Sequence, residues 1–438
     1  MVYAKYPQYK KTNLEWLEYI PFDWDYGGLT KYLDNIVDYR GKTPEKVEEG
    51  VFLVTAKNIK NGKVDYSLSQ EFVKLEEYEE IMRRGLPEIG DVLFTTEAPL
   101  GEVANVDRID IALAQRIIKF RGIENVLDNY YLKYWIQSQG FQSNLKTFAT
   151  GSTAAGIKAS KLSSLKVLLP PYSEQKQIVL FLDNKVHELD ALIAQKEQMI
   201  SLLEEKRQSM ITEAVTKGLN PNVKMKDSGV KWIGEVPLNW KVKPLYTIYK
   251  ENKTKNKDNL VSNVLSLSYG KIKQRDIESN YGLLPDSFET YQIVEKDYLI
   301  LRLTDLQNDK RSLRVGLVNE KGIITSAYIG LKKSPILNSR YAYYLLHSYD
   351  LAKVFYGLGS GVRQSIGYAE LKKLPILIPD LEEQNALVEY LDNMNSQTED
   401  IIEDLKKQIQ NLKAYRQSLI YEAVTGKIDV REYELVPQ

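Results

Sequence analysis

The chain has 438 residues, 43% of them apolar, which is enough for packed cores and, at ~150 residues per domain, suits about two or three domains and excludes a disordered chain. Lysine plus arginine and aspartate plus glutamate both total 59, so no net basic field draws the whole chain to nucleic acid, and any DNA contact must rest on local patches. Cysteine is absent and histidine occurs only at His187 and His347, which excludes disulfides, Cys/His metal clusters and a cysteine nucleophile. No stretch approaches the ~18 apolar residues of a membrane span, so a soluble, cytoplasmic protein without membrane contact is expected.

In chain order, Trp16-Leu17, Pro21, Trp24 and Leu29 come first, and they recur as Trp232-Ile233, Pro237, Trp240 and Leu245 at an offset of 216. Between the two openings lies a first insert, 30–165, that reads as mixed α/β: strand-like runs at 51–55 and 92–96, and a helical stretch at 128–138. Its basic residues Arg40, Lys42, Lys57, Lys60 and Lys63 stand near Asn58 and Asn61, residue types that hold phosphates and read base edges, while 71–97 leans acidic.

Pro170-Pro171 then marks the entry to a long helix. Leu182, Val186, Leu189, Ile193, Lys196, Ile200, Leu203, Arg207, Met210 and Ala214 follow at alternating steps of four and three, a 3.5-residue repeat over about four heptads. Gly218 is a natural exit, and the segment 218–231, with Asn220-Pro221 and Asp227-Ser228-Gly229, reads as a linker.

The second insert, 246–370, is also mixed α/β, with strands at 298–301 and 314–318 and a helix at 339–351. Lys253, Lys255, Lys257, Lys271 and Lys273 dominate a basic stretch at 241–275, with Tyr246, Tyr249 and Tyr269 and Asn252, Asn256, Asn259 and Asn263 interleaved. Arg302, Lys310, Arg311 and Arg314 form a second basic group.

After Pro379 the helix pattern returns at an offset of 209, with Leu391, Asn395, Thr398, Ile402, Leu405, Ile409, Leu412, Arg416, Leu419 and Ala423, and Gly426 ends it. Each helix should run about 40 residues, or ~60 Å, and two matched coiled-coil seams in one chain favour pairing with each other, where Arg207 and Arg416 need a carboxylate or carbonyl partner. The predicted division is 1–168 for a first domain built around its insert, 169–220 for a helix and linker start, 221–377 for the linker and a second such domain, and 378–438 for a second helix and tail.

Three local strings suggest chemistry and fail on inspection. Leu169-Pro-Pro-Tyr172 lacks the hydrogen-bond acceptor that an amino-methyltransferase needs in place of Leu169, so it reads as a proline stop before the helix. Gly357-Leu-Gly-Ser-Gly361 follows a helical stretch where a nucleotide-binding glycine loop requires a strand, and with Thr150-Gly-Ser-Thr153 it reads as a flexible surface loop. Pro285-Asp286 has no acidic-x-Lys triple behind it, no P-loop pattern occurs, and His187 falls on a solvated helix position.

The chain resembles the specificity subunits of type I restriction-modification systems over essentially its whole length. The resemblance rests on Lys226-Asp-Ser-Gly-Val-Lys-Trp-Ile-Gly-Glu-Val-Pro237 with Trp240, on Leu169-Pro-Pro with Glu174-Gln-Lys-Gln-Ile178, and on Glu422-Ala-Val-Thr-Gly-Lys-Ile-Asp-Val430. Ala112-Leu-Ala-Gln-Arg116 and Ile324-Thr-Ser-Ala-Tyr328 sit where such subunits carry similar strings, whereas Glu15-Trp-Leu-Glu-Tyr-Ile-Pro21 departs by lacking the glycine of Ile233-Gly234.

The resemblance implies two target recognition domains held apart by an antiparallel coiled coil, each reading half of an asymmetric, split double-stranded DNA target, with half-sites near one helical turn (~34 Å) or multiples of it apart. It further implies two N6-adenine methyltransferase subunits as partners, with restriction subunits beside them, and places S-adenosylmethionine, ATP and magnesium on those partners. No cofactor, metal or catalytic residue is then expected on this chain. The alternatives are a self-contained modifying enzyme or nuclease, which would bind S-adenosylmethionine or cut DNA with magnesium, and a coiled-coil scaffold that binds only protein, which a mobility shift would distinguish.

Overall fold

A computed structural model describes residues 3–39, 44–150, 155–275, 287–308, 313–358 and 365–434. The chain forms two compact units, one of residues 1–196 with 407–438 and the other of residues 197–406, so each long helix contributes to both.

In each unit the insert leaves the frame through a two-stranded neck. Asp25–Gly28 pairs antiparallel with Lys166–Leu169 in the first unit, and Lys241–Pro244 with Pro375–Ile378 in the second. The necks end on the same bond, from Leu29 N–H to the Leu165 carbonyl and from Leu245 N–H to the Leu374 carbonyl, both 2.8 Å.

The repeated tryptophans lock these necks. Trp24 and Trp240 are fully buried, and each indole N–H donates to the repeated glutamate of the following helix, Glu174 at 3.0 Å and Glu383 at 2.8 Å. The neighbouring glutamine closes the same turn in both units. Gln175 donates to the Val126 and Pro170 carbonyls and accepts from Asp128 N–H. Gln384 donates to the Ile336 and Pro379 carbonyls and accepts from Asn338 N–H. Asp128 and Asn338 in turn cap the domain helices Asn129–Gln137 and Ser339–Leu351, accepting from the first free N–H groups of each. The duplicated residues are therefore the ones that tie neck, domain helix and long helix together, while the surfaces of the inserts diverge.

The first insert holds a four-stranded antiparallel sheet in the order Leu100–Asn105, Val92–Thr96, Ile117–Gly122, Leu33–Asp38. A second sheet sets Val51–Val54 parallel to Ile111–Leu113 and antiparallel to Phe72–Val73. The second insert keeps the scheme in reduced form: Leu299–Leu301 lies between Val315–Leu317 and Ile329–Leu331, and the only outer partner beyond Leu331 among the described residues is the single bridge from Glu251. The strands and domain helices expected at 51–55, 92–96, 128–138, 298–301, 314–318 and 339–351 are present within a residue or two at each end. The helix Gln139–Phe148, capped by Ser138, was not anticipated, because Gly140 and a run of polar residues obscure its apolar face.

The long helices span Tyr172–Lys217 (46 residues) and Leu381–Val424 (44 residues). Both end as expected at Gly218 and Gly426, whose φ angles of 78° and 69° place them in the left-handed region that glycine enters without strain. Every predicted seam position is buried or half-buried. In the first unit Ile178, Leu182 and Val186 share a core with Leu419, Ile420 and Ala423, and in the second Ile211, Ala214 and Val215 share one with Leu387 and Leu391. Within the first unit the cross-helix bonds join Asp190 to Arg416 (2.9 Å) and Lys196 to Gln408 (2.7 Å); one number rises as the other falls, so the two segments run antiparallel.

The two seam arginines differ. Arg416 is buried and has its carboxylate, whereas Arg207 is half-buried, and no ion pair to it forms among the described residues. The expectation that both need a carboxylate or carbonyl partner is corrected for Arg207, which is half-buried and keeps part of its side chain exposed to solvent. No helix among the described residues is long and apolar enough to cross a membrane.

Candidate nucleic-acid interface

Burial divides the basic and amide residues predicted to meet DNA. Lys57, Lys60, Lys253, Lys255, Lys257, Lys271, Lys273 and Arg302 are exposed. Arg40, Lys42, Lys310 and Arg311 lie outside the described residues, as do most of the two glycine strings and Pro285-Asp286.

Asn58 and Arg314 are corrected. Asn58 is fully buried; its Oδ1 accepts from Thr55 N–H (2.9 Å) and hydroxyl (2.8 Å), and its Nδ2 donates to the carbonyls of Asp65 (3.0 Å) and Ser69 (2.9 Å). Arg314 is also buried, and its guanidinium donates to the carbonyls of Arg302, Thr304 and Asp305 at 2.8–3.1 Å. Both side chains hold loops by satisfying buried backbone carbonyls, so neither can face a DNA groove. Asn252 and Asn256 act in the same way, donating to the Ile293 and Val261 carbonyls.

Among the exposed lysines, several are engaged. Lys255 donates to the Thr290 carbonyl (3.0 Å) and the Ser326 hydroxyl (2.7 Å), and Lys253 pairs with Glu251 at 2.9 Å. Lys271 approaches Glu399 at 3.4 Å with both side chains more than half exposed, a pairing that a phosphate can displace at little cost.

Four of the basic groups, Lys60 and Lys63 in the first unit and Lys271 and Lys273 in the second, lie on one element in each unit, a tight hairpin. In the first, Ile59–Lys60 pairs with Lys63–Val64 around a two-residue turn, Asn61-Gly62, with φ angles of 53° and 84°. In the second, Leu265–Ser268 pairs with Lys271–Gln274 around Tyr269-Gly270, with φ angles of 48° and 75°. Two positive φ values in a two-residue loop are the type I′ geometry, which matches strand twist and favours Asn-Gly.

Alternation does the rest. Leu265, Leu267 and Ile272 face the domain core, while the cross-strand pairs Ser266–Lys273 and Ser268–Lys271 lie on the opposite face. The shorter first hairpin buries Ile59 and Val64 and exposes the Lys60–Lys63 pair.

Both hairpins rest on the domain helix behind them. A Cβ at Gly62 would lie 2.2 Å from Gln137 Nε2, so this turn packs directly against the helix side chain, while its φ of 84° favours glycine. In the second unit Tyr343 donates its hydroxyl to the Gly270 carbonyl at 3.4 Å, and its ring lies parallel to His347, with centroids 5.9 Å apart. Burial, with Arg207 nearby, pushes His347 down to about 4, so this imidazole is neutral at physiological pH. In the first unit, burial would raise the carboxyl of Asp91, but bonds from Arg121, Glu88 N–H and Lys119 outweigh it and hold Asp91 below its usual range.

The turn residues contrast. Asn61 is a residue that tolerates positive φ, whereas Tyr269 does so at a cost of about 1–2 kcal/mol and is still 68% exposed. The Asn61-Gly62 dipeptide between alternating residues was a readable hairpin signal in the sequence; Tyr269-Gly270 was not, since nothing local marks a tyrosine as a turn former. Among the described residues no group of three or more His, Asp and Glu side chains could hold a metal ion.

Known proteins carry the same organisation. The family model described as "Type I restriction modification DNA specificity domain" matches residues 34–202 and again residues 237–411. Two similar proteins of Methanocaldococcus jannaschii bear the names of the MjaX and MjaVIII specificity subunits of type I restriction enzymes. The first is 25% identical, over 97% of this chain and 98% of its own length, and the second 24% identical, over 97% of each. Among solved structures, a chain from a study of complex assembly and conformational transition of the type I R-M system superposes with a TM-score of 0.68 at 16% identity, over 93% of this chain and 99% of that one. The HsdS subunit from Thermoanaerobacter tengcongensis gives a TM-score of 0.51 at 16% identity, over 93% and 98%. With two copies of the family's domain matched over most of its length, the chain belongs to the type I restriction-modification DNA specificity family.

Proposed function

We propose that this chain is the sequence-reading subunit of a type I restriction-modification complex that recognises an asymmetric, bipartite double-stranded DNA target, one half-site per insert. The observation that carries this reading is the duplicated frame. Identical Trp–Glu and Gln clamps hold two inserts whose exposed hairpins differ in length, tip residue and flanking charge. One frame presenting two different surfaces suits two different half-sites.

In this reading the long helices form an antiparallel coiled coil whose outer faces take two N6-adenine methyltransferase subunits, with restriction subunits joining them. S-adenosylmethionine, ATP and magnesium belong to those partners, and this chain contributes no catalytic residue. The exposed lysines act as phosphate contacts that set register and affinity without selecting sequence.

The test exchanges the insert between Leu29 and Leu165 for one of different sequence and maps methylated sites in a host carrying the cognate methyltransferase. One half of the target should change and the other persist. A change in both halves, or purified chain that binds S-adenosylmethionine or cuts DNA with magnesium by itself, refutes the reading.

A further inference from the structure

We propose that the two type I′ hairpins are the elements that enter the DNA and that their tips, Asn61 in the first unit and Tyr269 in the second, determine base specificity. This rests on the reading of the chain as a DNA-recognition subunit and goes beyond it by naming the specificity-determining residues.

The first argument is backbone strain at an exposed site. A bulky residue at positive φ is a genuine outlier, and such outliers persist where surrounding structure enforces them, commonly at functional positions. Tyr269 sits at φ 48° although Asn would fit the turn better, and it is 68% exposed. Gly270 beside it is buried and receives the Tyr343 hydroxyl bond, and ladder pairs on both sides hold the turn, so the tip is rigid. A ring projected at a fixed angle from a rigid turn loses little entropy on binding.

The second argument is shape and chemistry. The major groove of B-DNA admits a two-stranded ribbon. The outer face of the second ribbon carries Ser266, Ser268, Lys271 and Lys273 in cross-strand pairs, hydroxyls and ammonium groups suited to phosphates and base edges. Lys60 and Lys63 flank the first tip in the same manner. Asn58, Asn252, Asn256 and Arg314 are committed to internal carbonyls, whereas the hairpins keep polar and aromatic groups exposed beside basic ones.

The tips differ chemically between the units, as two unlike half-sites require. Asn61 offers the amide that pairs with adenine edges, and Tyr269 offers a hydroxyl and a ring that packs against a thymine methyl.

The experiment uses the full chain with its cognate methyltransferase, a duplex carrying the mapped target, and duplexes scrambled in one half-site. Tyr269→Asn keeps the turn, since Asn favours positive φ, and removes the ring. Asn61→Gly keeps the first turn and removes the amide. Tyr269→Asn should reduce discrimination in the half-site governed by the second insert about 10- to 100-fold, leave the other half-site unchanged, and leave non-specific affinity and melting temperature at or above wild type. Asn61→Gly should do the reverse. Full discrimination retained by Tyr269→Asn, or equal losses in both half-sites, overturns the proposal while the recognition reading stands. A wild-type complex with no sequence preference overturns both.

Discussion

Arg207 and Arg416 occupy the same place in the two helices, yet their removal should have opposite consequences. The side chain of Arg416 is 10% exposed, with Nε 2.9 Å from Asp190 Oδ1, whose own side chain is 33% exposed. Arg416→Leu would leave Asp190 unpaired in a half-buried position. A charged hydrogen bond contributes about 1.5–3 kcal/mol, and the partial solvation of Asp190 places the cost near the middle, about 2 kcal/mol. Among the described residues Arg207 has no ion pair to lose, and it holds down the protonated form of His347. Arg207→Leu should therefore change stability by no more than about 0.5 kcal/mol, or increase it by covering apolar seam, and should raise the pKa of His347. Hydrogen exchange on each helix under increasing urea separates the two units, and a double-mutant cycle with Asp190→Asn isolates the pair. Equal costs for the two leucine variants, or zero coupling between positions 190 and 416, would refute the argument.

Other outcomes follow from the same geometry. Because the folded value of His347 lies near 4, below the ordinary ~6.5, the unfolded chain binds the extra proton between those values. The second unit should thus lose about 3 kcal/mol as pH falls from 6.5 to 4, and His347→Gln, which installs the residue found at Gln137, should flatten that part of a pH–stability curve. Asp91 has the opposite reference: its folded value is lowered, so its contribution is complete above the usual carboxylate range and declines as pH falls through it, and Asp91→Asn should remove that acid limb in the first unit. Gln175→Leu leaves unpaired the Val126 and Pro170 carbonyls and the Asp128 N–H, only some of which lie buried, and should cost about 2–4 kcal/mol, read as faster exchange in the Asn129–Gln137 helix. Removing Lys257, Lys271 and Lys273 together should weaken binding to all duplexes alike and lower the salt slope by about 0.9 per lost phosphate contact, with sequence preference intact; a change in preference would assign these lysines to bases.

Periodic and local information was legible in the sequence. The two long helices were legible because a 3.5-residue repeat states which face of a helix is apolar, and the helix ends followed from prolines and glycines whose backbone limits are intrinsic. The repeated Trp, Glu and Gln residues marked the frame before their bonds were visible. The candidate DNA contacts were less legible, because Asn and Arg serve equally as groove readers and as buried clamps, and composition does not separate the two uses.

The amino-acid sequence alone determined that this protein is one frame used twice, with two long helices and two unlike mixed α/β inserts, since duplication, heptads and breakers are properties of the chain itself. Tertiary structure decided which polar residues face outward. Asn58 is withdrawn by carbonyls seven and eleven residues away, and Arg314 by a loop that folds back on it. Arg416 gained a carboxylate partner 226 positions distant, while its twin Arg207 meets none among the described residues. The physical reason is shared: the cost of burying a polar group depends on which partners the fold brings to it, and those partners are set by packing between segments that the local sequence does not record.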